Sequence, residues 1–273
     1  MKRRWLFAIL ALVLLFTLMP FLFWQATWFG RPLTDAQLAE FFRADARPRD
    51  TQHALAQIEQ RIESPDPAQR DSARVWYPEI IRVGTQGEDE LRLTAAWVMG
   101  QDNSSPEFHA ALSHLLSDPD PMVRGNAALG LVRFDDSAGH DEILAMLSPT
   151  TLTAPASGTL DIRVKTGDTV NPGAMVARVA AASGQKIEMD SPAPGTAGPW
   201  LVADGQQVTT GETLLDVDPS SDVVWESLRA LYLIGVPADL PAIEAYTHPV
   251  ADFPPTVQQQ ATLTEQAIRS RAR

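Results

Sequence analysis

The sequence predicts an α+β multidomain protein: an apolar N-terminal helix, an array of short helix pairs, and a small β module set into that array. Three observations carry this reading. Twenty uncharged residues run from Trp5 to Trp24. A helical pattern returns at an offset of 32 residues between 88 and 132. One glycine-punctuated β pattern is written twice between Ala154 and Val217.

At 273 residues the chain is long enough for two ordinary domains with buried cores. Its formal charge of −12 becomes −15 once the +3 of Lys2, Arg3 and Arg4 in the first thirty residues is set aside. A surface that acidic repels phosphate backbones, so no nucleic-acid partner is expected. Cysteine is absent, which removes disulfides, thiolate metal sites and cysteine nucleophiles.

The run "WLFAILALVLLFTLMPFLFW" (5–24) is long enough, at ~1.5 Å per residue, to span the ~30 Å hydrocarbon core of a bilayer. Trp5 at one end and Trp24 and Trp28 at the other suit the membrane interfaces, where amphipathic rings prefer to sit. Lys2, Arg3 and Arg4 against a lone Arg31 put the N-terminus in the cytoplasm. The expectation is a single-pass inner-membrane protein whose bulk is periplasmic. A cleaved signal peptide is the competing reading; its apolar region would be shorter, and Ala26 has Trp24 two residues before it, where an A-x-A-like cleavage site wants a small residue.

Beyond the anchor, "LTDAQLAEFF" (33–42) and "TQHALAQIEQRI" (51–62) space apolar residues helically, with Thr34 and Thr51, or a nearby polar residue, as N-caps. "EDELRLTAAWVMG" (88–100) then aligns with "DPDPMVRGNAALGLV" (118–132): Leu91 on Val123, Arg92 on Arg124, Ala95-Ala96 on Ala127-Ala128. Second helices follow each, at 106–118 and 139–148. One such pair cannot bury its apolar face alone, so the units stack into a solenoid. Asp118-Pro119, Val123-Arg124 and the alanines a turn later resemble HEAT repeats. That resemblance implies that Arg92 and Arg124 pair with acidic residues such as Glu88 and Asp120. A degenerate copy lies around Asp66-Pro67 to Trp76.

Helical pattern resumes at 220–248 and again at 256–272, so the β segment interrupts the array instead of ending it. Its two copies are offset by 37 at Pro155/Pro192 and by 38 at Gly167/Gly205, Val170/Val208 and Gly173/Gly211. Each copy reads as a strand, a glycine turn, alternating residues and a second glycine turn that wants positive φ. Over 151–218 this resembles biotinyl and lipoyl carrier domains, which implies a flattened β-barrel, or barrel-sandwich hybrid.

Carriers of that kind present a lysine within A-M-K-M or D-K-A on the hairpin joining the halves. Here the joining segment is "AAASGQKIEMD" (180–190), with its tip at Ser183-Gly184, and Lys186 follows two residues later without either flanking motif. Lys186 is therefore the candidate for covalent modification, with an ordinary exposed lysine as the competing reading. Periplasmic adaptors of efflux systems are also similar, but they place a long helical hairpin where only eleven residues separate Val179 from Ser191.

Little else points to chemistry. His109 and His114 are five apart, about 140° around a helix, whereas a shared metal wants i, i+4. There is no G-x-S-x-G, P-loop or dinucleotide fingerprint. Asp118/Asp120 and Asp135-Asp136 read as turn and cap residues, and Trp76, Trp97 and Trp225 as core, with Trp200 more exposed. Asn103-Ser104-Ser105 is a formal glycosylation sequon.

The predicted organisation is anchor (1–30), HEAT-like helices (31–150), β module (151–218) and C-terminal helices completing the solenoid (219–273). The predicted function is a non-catalytic, membrane-anchored scaffold or accessory subunit, without catalytic residues, cofactor or metal. Its expected partners are subunits of an integral-membrane complex, such as a respiratory or photosynthetic one, and the bilayer through residues 5–24. The alternatives are a biotin- or lipoyl-type carrier using Lys186, and a HEAT-type lyase or chaperone that loads a pigment or cofactor.

Overall fold

The structure, a computed structural model, describes residues 32–273 and, before them, residues 5, 13, 14 and 16–19. From residue 32 on, the described residues begin with eight helices: α1 (Asp35–Phe41), α2 (Pro48–Ile62), α3 (Pro67–Arg74), α4 (Tyr77–Gln86), α5 (Asp89–Met99), α6 (Pro106–Leu115), α7 (Pro121–Val132) and α8 (His140–Ala145). A recurring device starts three of them. At Asp66-Pro67, Ser105-Pro106 and Asp120-Pro121 the cap side chain accepts an amide of the first turn, while proline fills the first helical position, where no donor is needed.

Thr34 caps α1 in a reciprocal box with Gln37. Thr51 does not cap α2. Pro48 presets a helical φ and starts the helix earlier, so Thr51 is buried within it and donates its hydroxyl to the Phe41 carbonyl at 2.9 Å.

The small residues of the repeat do the close packing. Ala95, Ala96, Ala127 and Ala128 are fully buried, and a Cβ on Gly100 would stand 3.0 Å from the Gly130 Cα, so α5 and α7 approach almost backbone to backbone. One core runs from Leu33 to Leu131. A second joins Ala128, Val132 and Ile143 to the C-terminal helices α9 (Ser221–Ile234), α10 (Leu240–Glu244) and α11 (Pro255–Arg271) through Val224, Leu228, Leu231, Val257 and Ile268.

Glu88, Asp120 and Ser220 are the N-caps of α5, α7 and α9, at spacings of 32 and 100 residues. The spacing from α7 to α9 exceeds that from α5 to α7 by 68 residues, and α9 shares a core with α7 and α8. Those extra residues form β1 (Thr150–Thr153), β2 (Gly158–Ile162), β3 (Thr169–Val170), β4 (Met175–Ala181), β5 (Lys186–Asp190), β6 (Gly195–Ala197), β7 (Gln207–Val208) and β8 (Thr213–Pro219).

The strands make two antiparallel four-stranded sheets, ordered β1-β8-β6-β3 and β5-β4-β2-β7. Exchanging the halves (β1 for β5, β2 for β6, β3 for β7, β4 for β8) turns one order into the other, so the duplication is a pseudo-two-fold axis. Leu160 and Ala197, Val170 and Val208, Val176 and Leu214, and Val179 and Val217 are its buried pairs, and they share one core between the sheets. Gly173 and Gly211 take φ of +75° and +84°, and each donates its amide at 2.8 Å to the other half, to the Ser191 and Ala154 carbonyls respectively. A residue with a Cβ is strained in that left-handed region.

The first and last strands of the module are hydrogen-bonded neighbours, with Thr150 opposite Val217. The chain therefore leaves the helices and returns at nearly one point, which lets the module sit between α8 and α9 without separating them.

The single-pass inner-membrane placement is corrected. Among the described residues no helix is long and apolar enough to cross a membrane; the longest, α11, has 17 residues and carries Glu265, Arg269 and Arg271. The expected span, 5–24, lies largely outside the described residues, as do the expected anchors Trp24 and Trp28, while Trp5 is described as helical and exposed.

Candidate functional site

The repeats are stitched by a polar ladder. Arg92 on α5 forks onto Asp118, with Nε to Oδ2 and Nη2 to Oδ1 both at 2.8 Å, and its Nη1 reaches Asp89 at 2.8 Å. Asp118 also accepts the Asp120 amide, and its carbonyl accepts from Arg124 Nη1 at 2.9 Å. Arg124 on α7 then pairs with Glu142 on α8, Nε to Oε2 at 3.0 Å. The partners expected from the family resemblance, Glu88 and Asp120, are not the ones used: Arg92 takes Asp89, one turn back on its own helix, together with Asp118 ahead of it, and Arg124 reaches on to Glu142. Burial pushes the Asp118 carboxyl up, but the Arg92 fork and the Asp120 amide outweigh it and hold the group below the usual carboxylate range. Asp118, and after it Asp89, push the Arg92 guanidinium up from its ordinary value against the opposing effect of burial.

Beside this ladder, the α7 and α8 surfaces, the first turns of α9 and the nearby edge of the β module enclose a groove of about 300 Å³. Trp97, Met122, Leu129 and Met146 line it from the helices, Pro194, Val217 and Pro219 from the module, and Asp222 and Glu226 from α9. A shallower cleft of about 150 Å³ shares Trp97, Asn126, Leu129 and Glu226 and continues toward Arg133, Arg229 and Leu233. The Trp97 indole is 40% exposed and is held by its Nε1–H to Glu59 Oε1 at 2.5 Å. Asn126 crosses between α7 and α5, donating to the Leu93 carbonyl at 3.1 Å.

The other sequence candidates are dispersed. Lys186 is an exposed residue at the start of β5, opposite Ala180, two positions beyond the Ser183-Gly184 tip of the β4–β5 hairpin. His109 Nε2 meets Asp136 at 2.8 Å while His114 is exposed on α6, so they share no site. Among the described residues no group of three or more histidine or acidic side chains is placed to hold a metal. Asp120 caps α7 as expected, whereas Asp118 serves Arg92. Trp76 stacks on Phe42 and Trp225 lies under Arg229, but Trp97, expected in the core, is exposed at the groove; its neighbours Ala95 and Ala96 make the interhelical contact instead. Trp200 packs on the module core and donates to the Val164 carbonyl at 3.1 Å. Asn103 donates its amide to the Arg133 carbonyl at 2.7 Å, between repeats.

Two further polar contacts were not anticipated. Tyr77 donates to Asp102 at 2.5 Å, and burial together with that carboxylate pushes the phenol up from its ordinary value. His140 Nε2 meets the buried Asp239 at 2.8 Å across the module insertion, tying α8 to the turn before α10. Both join residues distant in sequence, so no local spacing announces them. The groove is equally silent in sequence, because its two walls lie about seventy residues apart along the chain; an aromatic amid small residues at Trp97 was its one visible signal.

Residues 81–152 match the family of HEAT repeats, from within α4 to β1. No curated protein matches the chain. HEAT repeats are in general protein-interaction modules, and a protein partner fits this chain.

Proposed function

We propose that this protein is a non-catalytic scaffold or accessory subunit that holds a partner protein between its HEAT-like helices and its β module. The observation that carries this is the groove itself, built jointly by the two parts, with a restrained, exposed indole at Trp97 and a cleft of mixed polar and apolar lining leading from it to the exposed Leu233. Aromatic anchors fixed before binding lose little entropy on complex formation and dominate interface energetics.

We further propose that the module is a barrel-sandwich hybrid of the biotinyl/lipoyl kind, a reading supported by the exchange symmetry of its two sheets and its single shared core. Lys186 supports a second reading, the carrier, because it is exposed on the hairpin that joins the halves. Intact-mass measurement separates the two: a carrier shows an added biotinyl or lipoyl mass that Lys186→Arg removes, and a scaffold shows the bare chain mass.

The scaffold reading is tested by cross-linking in the source cells followed by affinity purification. A stoichiometric partner, lost on Trp97→Glu/Leu233→Glu in a chain of unchanged helicity, is expected. Recovery of only free monomer after cross-linking would overturn it.

A further inference from the structure

Resting on the scaffold reading, we infer that the groove of about 300 Å³ takes a peptide segment of a partner that carries apolar side chains and at least one lysine or arginine. The apolar requirement comes from the lining. Met122 and Met146 are adaptable, polarisable side chains suited to receiving varied apolar groups, and Leu129 and Trp97 extend the same surface. Pro194 and Val217 close it from the module side.

The basic requirement comes from the charges left over. Of the groove's ionic side chains, Glu142 is matched by Arg124 at 3.0 Å and Glu226, more loosely, by Arg229 at 3.4 Å, which leaves the exposed Asp222. The cation nearest Glu226, Arg229, stands 3.4 Å away outside this lining, with its guanidinium 4.6 Å above the Trp225 ring. An apolar occupant without charge would strip water from Asp222 and return nothing, whereas a cation placed there answers it and adds to the loose Arg229 contact of Glu226. A second copy of this chain is a poor occupant, since each carries a formal charge of −12. Repulsion between copies works against it.

The test uses the full chain and two fluorescein-labelled peptides of about ten residues, one alternating leucine with lysine and one alternating leucine with glutamate, read by anisotropy. The lysine peptide is expected to bind and to change Trp97 fluorescence, with the glutamate peptide at least about tenfold weaker. Asp222→Asn/Glu226→Gln and Trp97→Ala should each weaken the lysine peptide by about tenfold. Neutralising two exposed acids elsewhere, Glu63→Gln/Glu107→Gln, should leave it unchanged. Equal loss from the distant and the groove neutralisations, or no effect of Trp97→Ala, would overturn the proposal by exposing general attraction to an acidic surface. Cross-linking separates the two readings. A partner captured equally by wild type and Asp222→Asn/Glu226→Gln overturns the groove and keeps the scaffold, while capture of none overturns the scaffold and leaves the peptide affinities to decide the groove.

Discussion

Arg92 and Asp118, 26 residues apart, face each other as a two-pronged ion pair with both N–O distances at 2.8 Å, and neither side chain is more than 13% exposed. This pair joins the first helix of one repeat to the start of the next. Arg124 then passes the connection from α7 to α8 through Glu142.

Removing Asp118 strips the largely buried Arg92 of its two-pronged partner and leaves it only the exposed Asp89 carboxylate, so Asp118→Ala is expected to cost about 3 kcal/mol. Glu142→Ala acts on a pair that is about a quarter to a third exposed and should cost about 1 kcal/mol or less. Urea unfolding followed by helical circular dichroism checks both. Equal costs would mean that the two rungs carry the same load. Because the Asp118 carboxyl is held below its ordinary value, its contribution is present above about pH 4 and is lost as pH falls through its native value.

The His140–Asp239 contact predicts a dependence at higher pH. The Asp239 carboxylate raises the His140 imidazole above its ordinary value against the opposing effect of burial, with Asp141 adding to it. A raised histidine stabilises the native state when protonated in it, so the contribution is full below about pH 6.5 and is lost as pH rises through the native value. The urea midpoint should fall across that interval in wild type. In His140→Gln the step should vanish.

Within the module two kinds of glycine are distinguishable. A Cβ at Gly195 would lie 2.0 Å from the Asp218 carbonyl oxygen, and one at Gly158 would lie 2.3 Å from that of Ala180. Backbone cannot move aside cheaply, so either alanine substitution should cost about 3 kcal/mol. Gly211→Ala meets open space and has only its positive φ to contend with, at about 1–2 kcal/mol. Thermal unfolding of the three variants should rank them accordingly; a Gly211→Ala as damaging as Gly195→Ala would contradict the geometry.

Because Thr150 pairs with Val217, replacing 150–219 by a short Gly/Ser link should leave the helices folded. The shortened chain should unfold in one cooperative helical transition, with the contacts of α9 on α7 and α8 intact. Loss of that cooperativity would show that the module holds α8 and α9 together.

The repeat and the duplication were legible in the sequence because each is a rule repeated at fixed offset. Ala95-Ala96 and Ala127-Ala128 fix which face packs, and the paired glycines at 173 and 211 fix where the strands turn. What failed depends on what lies far along the chain. Arg92 pairs with Asp89 on its own helix in place of Glu88, and its second carboxylate, Asp118, lies 26 residues on in the next repeat. Trp97 read as core because it is large and apolar, yet the alanines beside it leave no room for an indole between α5 and α7. Thr51 lost its capping role to a proline three residues earlier. The groove required knowing that β-strands would return beside α7, which no window of sequence contains.

The adjacency of Thr150 and Val217 gives the β module a single doorway. A gene segment coding for such a unit can be gained, lost or exchanged by one in-frame event without reworking the helices on either side. The helices and their passenger share surface where they frame the groove.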